Sequence, residues 1–141
     1  MSDVPDLTSI TRQVVAAAYR AFATHDIPAL LALLDPAVAW GQPDNPSIPS
    51  AGTRHGLAGV QEWLQVGNET EEILAFQIGH MIVDGPMAAV SGSTTVRVRA
   101  TGATYTTDFV HLVTVASGRV TRFQESFDTD LAAAAFAGRP D

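Results

Sequence analysis

The second half of the chain has apolar residues at every second position over four successive segments. These segments are 73–83, 87–100, 105–115 and 119–127, and the turn-forming triplets DGP, TGA and ASG separate them. A period of two is the spacing of side chains on one face of a β-strand, and short turn signals between such segments indicate hairpins. The pattern therefore predicts four antiparallel strands in succession, whose apolar face must be covered by another layer.

The first half of the chain supplies that covering layer. Residues 8–24 carry apolar side chains at three- and four-residue steps, which is the period of an amphipathic helix. Asp26 followed by Pro28 predicts the start of a second helix, which runs to the Asp-Pro pair at 35–36. A third helix is predicted in GLAGVQEWLQV and a short terminal helix in LAAAAFAG. Between the second and third helices we expect a brief strand, AVAW, and a proline-rich loop over 41–53.

Length and composition fit a single α+β domain over residues 1–141, with 46% hydrophobic residues for its core. All eight basic residues are arginines, they form no cluster, and the formal net charge is -7, so we expect neither nucleic acid nor a membrane surface as a partner. The chain has no cysteine, and its four histidines lack metal-motif spacing, so no metal site is expected. The start MSDVPDLTSI lacks the features of a secretion signal, and we therefore expect a cytoplasmic location.

The last predicted hairpin, DFVHLVTVASGRVTRFQESFD, places two ionisable residues among the apolar positions. If ASG is a three-residue loop, Val115 faces Arg119, and His111 and Glu125 become diagonal neighbours on the inner face. A lone ionised carboxylate is costly in a dry core, so Glu125 needs either a partner or a wet cavity. A structural His111–Glu125 pair and a functional dyad in a pocket both meet this requirement. Asp128 is expected to end the strand by capping or turn bonding.

Three stretches of the sequence resemble the SnoaL-like group of the NTF2-like, ketosteroid-isomerase-related superfamily. They are VVAAAYRAFATHDIPALLALLDPAVAW, IPSAGTRHGLAGVQEWL and DFVHLVTVASGRVTRFQESFDT, and together they span nearly the whole chain in the order of that group. The resemblance implies an NTF2-like cone, in which a curved antiparallel sheet wraps around the N-terminal helices and encloses a pocket. It further implies a small-molecule ligand, no cofactor and a homodimer.

The resemblance also places candidate site residues on the inner face of the cone. The candidate catalytic residues are His111 and Glu125, as an acid–base pair, and Tyr19, as a hydrogen-bond donor to a ligand oxygen. Aromatic side chains would contact the ligand: Trp40, Trp63, Phe109, Phe123 and Phe127.

Two enzyme branches of the superfamily lack essential residues at the matching positions. The general base of the ketosteroid isomerases corresponds to Gly41. The limonene-epoxide-hydrolase branch matches Glu125 but has Gly92 and Thr94 where its Arg and second Asp would lie. Three functions therefore stay open: a cofactor-independent isomerase, cyclase or hydrolase acting on a small apolar oxygenated molecule, a non-catalytic binding module, and a dimeric interaction domain with a filled interior.

Overall fold

A computed structural model of the chain describes residues 6–139. Over these residues the elements are, in chain order, α1 (Leu7–Ala23), α2 (Ile27–Ala32), β1 (Leu34–Gln42), β2 (Gly52–His55), α3 (Gly56–Thr70), β3 (Glu71–Asp84), β4 (Met87–Val98), β5 (Thr104–Ala116), β6 (Arg119–Phe127) and α4 (Thr129–Phe136). Part of the N-terminal stretch from which the absence of a secretion signal is predicted, and both ends of the predicted domain, lie outside the described residues.

Side-chain caps fix where three of the helices begin. Asp6 accepts a hydrogen bond from the backbone N–H of Ser9, and Asp26 accepts one from that of Ala29, at 2.7 and 3.2 Å. Each bond satisfies a donor that the first helical turn leaves unpaired. Asp128 accepts bonds from the backbone N–H groups of residues 130 and 131 and so caps α4, which confirms its predicted role at the end of β6.

The predicted extension of α2 to residues 35–36 is wrong, because the helix ends at Ala32. Leu34 already pairs with Val120 in the sheet, and the Leu33 carbonyl accepts the Val120 N–H at 2.8 Å. A residue before proline also disfavours the helical conformation, so Asp35 continues in the extended state.

The six strands form one open sheet in the order β2-β1-β6-β5-β4-β3. The first strand runs parallel to the last, whereas the other neighbours are antiparallel. Strand β2 begins inside the predicted 41–53 loop and was missed, and β1 is longer than the predicted AVAW. Strand β2 pairs with β1 across the intervening segment 43–51, and β1 also pairs with the distant β6, where Trp40 faces Phe123.

The β5–β6 hairpin has a different register from the predicted one. Its turn contains two residues, Ser117 and Gly118, both with positive φ (51° and 75°), so Ala116 rather than Val115 faces Arg119. A β-bulge then leaves Thr121 without a paired residue on β5 and shifts the pairing of the rest of β6. As a result His111 lies directly opposite Glu125 instead of diagonally. Both residues are on the inner face, as predicted, while Arg119 is exposed.

The helices cover the inner face of the sheet, which confirms the α+β arrangement with a sheet curved around N-terminal helices. One buried cluster joins the helices to the sheet and includes Val15, Val60 and Val115. A second cluster lies around Tyr105 and Ala132, where α4 packs on the sheet. None of the described helices is both long and apolar enough to cross a membrane.

Candidate functional site

A cavity of about 140 Å³, partly open to solvent, lies between the helices and the inner face of the sheet. Its wall is mainly apolar and aromatic. All five aromatic residues predicted to contact a ligand line it, together with Tyr19, Phe22, Phe76 and Tyr105. A cavity of this size in an engineered core is known to hold one benzene ring, which sets the scale of a ligand that is fully enclosed here.

One wall of the cavity carries a continuous chain of side-chain hydrogen bonds. The Tyr19 hydroxyl lies 2.5 Å from Nδ1 of His111, and Nε2 of His111 lies 2.6 Å from Oε2 of Glu125. The Gln42 side-chain amide donates to Oε1 of Glu125 at 2.5 Å. The structure therefore brings together the three candidate catalytic residues and adds Gln42, which the sequence analysis did not single out.

Four elements deliver these side chains to one place. Tyr19 comes from α1, four residues after the buried Val15, whereas His111 and Glu125 are cross-strand partners on β5 and β6. Gln42 is the last residue of β1, which runs beside β6. Gln42 was not predicted as a site residue because residues 41–53 were expected to form a loop, whereas the parallel β1–β6 pairing brings the amide to Glu125.

Aromatic rings hold the His111 imidazole in position. It stacks against Tyr19 on one side and Phe109 on another, with ring centroids 5.8 and 4.4 Å apart, and Phe123 tilts against it at 4.7 Å. Only 4% of the His111 side chain is exposed. Because the ring cannot rotate freely, its two nitrogens are committed to Tyr19 and Glu125.

The Tyr19 hydroxyl at one end of this chain stays protonated. Burial and, to a smaller extent, the negative charge of Glu125 raise the pKa of Tyr19, so its hydroxyl keeps its proton at neutral pH. With Glu125 ionised, His111 donates its Nε2–H to the carboxylate and accepts the Tyr19 O–H at Nδ1. This assignment uses a neutral imidazole and satisfies both ring nitrogens.

A second carboxyl group, Glu71, also faces the cavity and was not singled out from the sequence. It is the first residue of β3 and is hydrogen-bonded to Tyr105 of β5. Burial and the charge of Glu125 raise the pKa of Glu71 to about 7, although the bond from Tyr105 opposes the shift. Extending the alternation back from Ile73 would have placed Glu71 on the cavity side, because Ile73 also lines the cavity.

Three buried polar atoms near the cavity have no hydrogen-bond partner among the described residues. They are Nε1 of Trp40, Nε1 of Trp63 and Oε1 of Gln42, and all three side chains line the cavity. The Trp40 ring stacks on Phe123 with centroids 4.0 Å apart and tilts against Trp63 at 5.5 Å. Unpaired buried polar groups are uncommon in native proteins, and their position here marks a place where a small move could bring a ligand atom or water to them.

The positions that depart from the two enzyme branches have structural roles. A Cβ at Gly92 would lie 2.5 Å from the Phe109 ring and closer still to the Gln77 carbonyl oxygen, so glycine makes room for Phe109. Thr94 lines the cavity and donates to the Ala75 carbonyl. Within residues 6–139, no three His, Asp or Glu side chains come together as metal ligands.

The fold and its enclosed cavity define the chain as an NTF2-like α+β protein. More particularly, the SnoaL-like domain family matches residues 15–123, and the chain belongs to this family. No curated protein matches the sequence significantly.

Several solved structures are similar over almost their whole length. An NTF2-like protein from Burkholderia xenovorans LB400 is 31% identical with a TM-score of 0.84, covering 92% of this chain and 97% of its own. An NTF2-like protein from Burkholderia pseudomallei K96243 is 29% identical with a TM-score of 0.82, covering 90% and 97%. TerC, co-crystallised with polyporic acid, is 28% identical with a TM-score of 0.81, covering 91% and 98%.

Proposed function

We propose that this chain is a cofactor-independent acid–base enzyme of the isomerase, cyclase or hydrolase type, acting on a small apolar oxygenated molecule in the cavity. The observation that carries the proposal is the hydrogen-bonded chain from Tyr19 through His111 to Glu125 on an otherwise aromatic wall. General acid–base catalysis needs a proton acceptor that is held within hydrogen-bond reach of the substrate and shielded from bulk water.

The three side chains can move one proton between a ligand and Glu125. Tyr19 takes a proton from the ligand as its own proton passes to Nδ1 of His111, and the Nε2 proton passes to Oε2 of Glu125. The ligand then carries the negative charge and Glu125 is neutral, while Tyr19 again has a proton to donate to the ligand. Reversal of the same shifts returns the proton to a different atom of the ligand, which completes an isomerisation.

Gln42 supports Glu125 as the end of this chain. Its amide donates to Oε1, the oxygen that His111 does not contact, so both carboxylate oxygens are held and the group cannot rotate. The carboxylate is 15% exposed, which leaves it the access to water that an ionised group needs.

The charges around the cavity favour a neutral ligand. Among the described residues, its lining includes two carboxyl groups, Glu71 and Glu125, and no arginine. An anionic substrate would therefore be repelled, while a ketone, phenol or alcohol could use the polar groups and bury its rings against the aromatic wall. The co-crystallisation of TerC with polyporic acid supports an organic small molecule as the class of ligand.

Hydrogen–deuterium exchange on a simple ketone tests the proposal without the natural substrate. The probe is 2-tetralone, whose C1 hydrogens lie between an aromatic ring and a carbonyl group. We expect the protein to accelerate loss of the C1–H signal in D₂O, followed by proton NMR. Glu125→Gln should lower the protein-catalysed rate by about 100-fold or more, because general acid–base groups contribute factors of that size.

The matched control is Asp108→Asn, which removes a carboxylate from the exposed outer face of β5, the strand that carries His111. It should leave the exchange rate unchanged. Saturable binding of 2-tetralone without any acceleration of exchange would contradict the proposal and favour a non-catalytic binding module, for which the loss of both related catalytic sets at Gly41, Gly92 and Thr94 is the supporting observation.

A further inference from the structure

We propose that Glu71, in its protonated form, is a second functional group of the cavity and donates a hydrogen bond to an oxygen atom of the ligand. This inference rests on the proposed function, since it assigns the acid that acts on the ligand together with the Tyr19–His111–Glu125 chain. It also narrows the ligand to a molecule with a carbonyl or hydroxyl oxygen at one end and a removable proton further along.

The placement of Glu71 is the first support. Glu71 and Glu125 lie on strands β3 and β6, which β4 and β5 separate in the sheet. Curvature of the sheet brings both onto the wall of one cavity. A ligand in the cavity can therefore contact both carboxyl groups.

The surroundings of Glu71 keep it from being an ordinary structural ion pair. The two nearby arginines, Arg97 and Arg99, pair with the neighbouring Glu72 instead, at 3.3 and 3.6 Å. Tyr105 is the side chain hydrogen-bonded to Glu71, and burial together with the adjacent carboxylates raises the pKa of that phenol, so it stays a donor. With Tyr105 donating to one carboxyl oxygen, the proton of Glu71 on the other oxygen is free for a ligand.

Few ionisable groups of the described residues share the cavity wall with Glu71. Across the cavity wall they are Tyr105 and His111 on β5, Glu125 on β6 and Tyr19 on α1. Strand β4 contributes Thr94 and Val96 to the wall, with no charged side chain. From its own strand the nearest charge is Glu72, which its arginine partners neutralise.

A protonated Glu71 completes a balanced proton transfer. As the Tyr19–His111–Glu125 chain removes a proton from the carbon next to a carbonyl, that C–H bond breaks and a C=C bond forms. The carbonyl oxygen takes the proton from Glu71, giving the enol and a Glu71 carboxylate. Glu125 gains one proton while Glu71 loses one, so the total charge on the cavity wall does not change.

The pH dependence of ligand binding tests this role separately from turnover. 2-Tetralone is neutral over the relevant range, so any change in its dissociation constant, measured by NMR titration, comes from the protein. From about pH 5.5 to about pH 8.5 we expect wild-type binding to weaken about 10-fold, because ionised Glu71 loses its donor and repels the carbonyl oxygen. Glu71→Gln, which keeps a donor that does not titrate, should bind with the acid-side affinity at every pH.

Two further variants test whether Glu71 is the group whose titration changes ligand binding. Asp108→Asn, on the exposed outer face of β5, should retain the wild-type pH profile. Tyr105→Phe should move the midpoint to higher pH, because the Tyr105 hydrogen bond lowers the pKa of Glu71 and its loss lets that pKa rise. A merely structural Glu71–Tyr105 contact would leave the midpoint unchanged.

The inference is overturned if the Glu71→Gln protein keeps the wild-type pH profile, or if it binds no 2-tetralone at any pH while its circular dichroism spectrum stays native. A profile that disappears only in Glu125→Gln would assign the titration to the other end of the cavity and would equally contradict it. Failure of the proposed catalysis is distinct, since it would appear as absent C1 exchange with the binding profile intact.

Discussion

Individual side chains in the cavity are held in protonation states that follow from their neighbours. The two nitrogens of His111 contact Tyr19 and Glu125, and Tyr19 keeps its proton because burial and a nearby carboxylate disfavour the phenolate. Of this set, the sequence identified Tyr19, His111 and Glu125 through the alternation of β5 and β6 and the family resemblance. Glu71 was missed because it lies at the junction of α3 and β3, two residues before the predicted strand 73–83.

Glu71 should make the stability of the protein depend on pH. Its pKa rises from an ordinary value of 4.5 to about 7 in the fold, so between these values the folded state binds more protons than the unfolded state. The free energy of unfolding therefore falls as pH rises from about 4.5 to about 7 and stays at the lower level above that range. Glu71→Gln removes this contribution, because glutamine does not titrate.

Urea unfolding at about pH 5 and about pH 8 measures the effect. Because of Glu71, the free energy of unfolding of the wild type should fall by on the order of 1 to 3 kcal/mol from the lower to the higher pH. The Glu71→Gln protein should not show this fall. The Asp108→Asn variant, on the exposed outer face of β5, provides the comparison. An equal pH slope in wild type and Glu71→Gln would contradict the expectation.

Among the elements, the β5–β6 hairpin decides whether the site exists. The sequence predicted which residues of β5 face inward, because side-chain direction depends only on the period of two. It did not predict the partner of each residue, because register depends on the turn type and on the bulge at Thr121. The positive φ of Ser117, a non-glycine residue, made the two-residue turn hard to recognise.

The turn supports a prediction about two glycines of opposite role. Gly118 has φ of 75°, whereas Gly67 lies within α3, where an added Cβ would meet no atom within 4 Å. Gly118→Ala should lower the free energy of unfolding by about 1 kcal/mol, because an L residue is strained in that conformation. Gly67→Ala should raise it by about 0.5 to 1 kcal/mol, since alanine favours a helix interior.

Thermal and urea unfolding of the two variants check this pair. Both variants introduce the same methyl group. A general effect of added apolar surface would therefore shift their free energies of unfolding in the same direction. Equal shifts would mean that the Ser117–Gly118 turn relaxes to another geometry.

For the whole molecule, the order of helices and then strands was enough to predict the α+β class and the covered inner face. The strand order was not predictable, because the parallel β1–β6 pair joins segments about 80 residues apart through a handful of hydrogen bonds. The strand pairing also shows how apolar residues of neighbouring strands join on the outer face of the sheet. A row of apolar side chains crosses it from Ile82 through Ala89 to Leu112, and Ile82 and Leu112 are 69% and 44% exposed.

We expect this outer face to pair two copies of the chain as a homodimer. Contiguous exposed apolar residues favour association, and Val110 extends the patch beside Leu112. Leu112→Asp should convert a dimeric wild type to a monomer in size-exclusion chromatography with light scattering. Leu7→Asp, at an exposed leucine in the first turn of α1, should leave the assembly unchanged. A monomeric wild type would contradict the expectation.

The parallel pairing of β1 with β6 has a consequence for how the protein is made. Strand β1 emerges from the ribosome early, but its neighbour β6 ends only at Phe127, and the hydrogen bond from Val120 to Leu33 cannot form before β6 has emerged. Until that point the nascent chain carries β1 with one long edge unpaired and the aromatic wall uncovered on that side. We therefore expect the cavity to be completed only after β6 has left the ribosome, and the chain to be prone to aggregation until then.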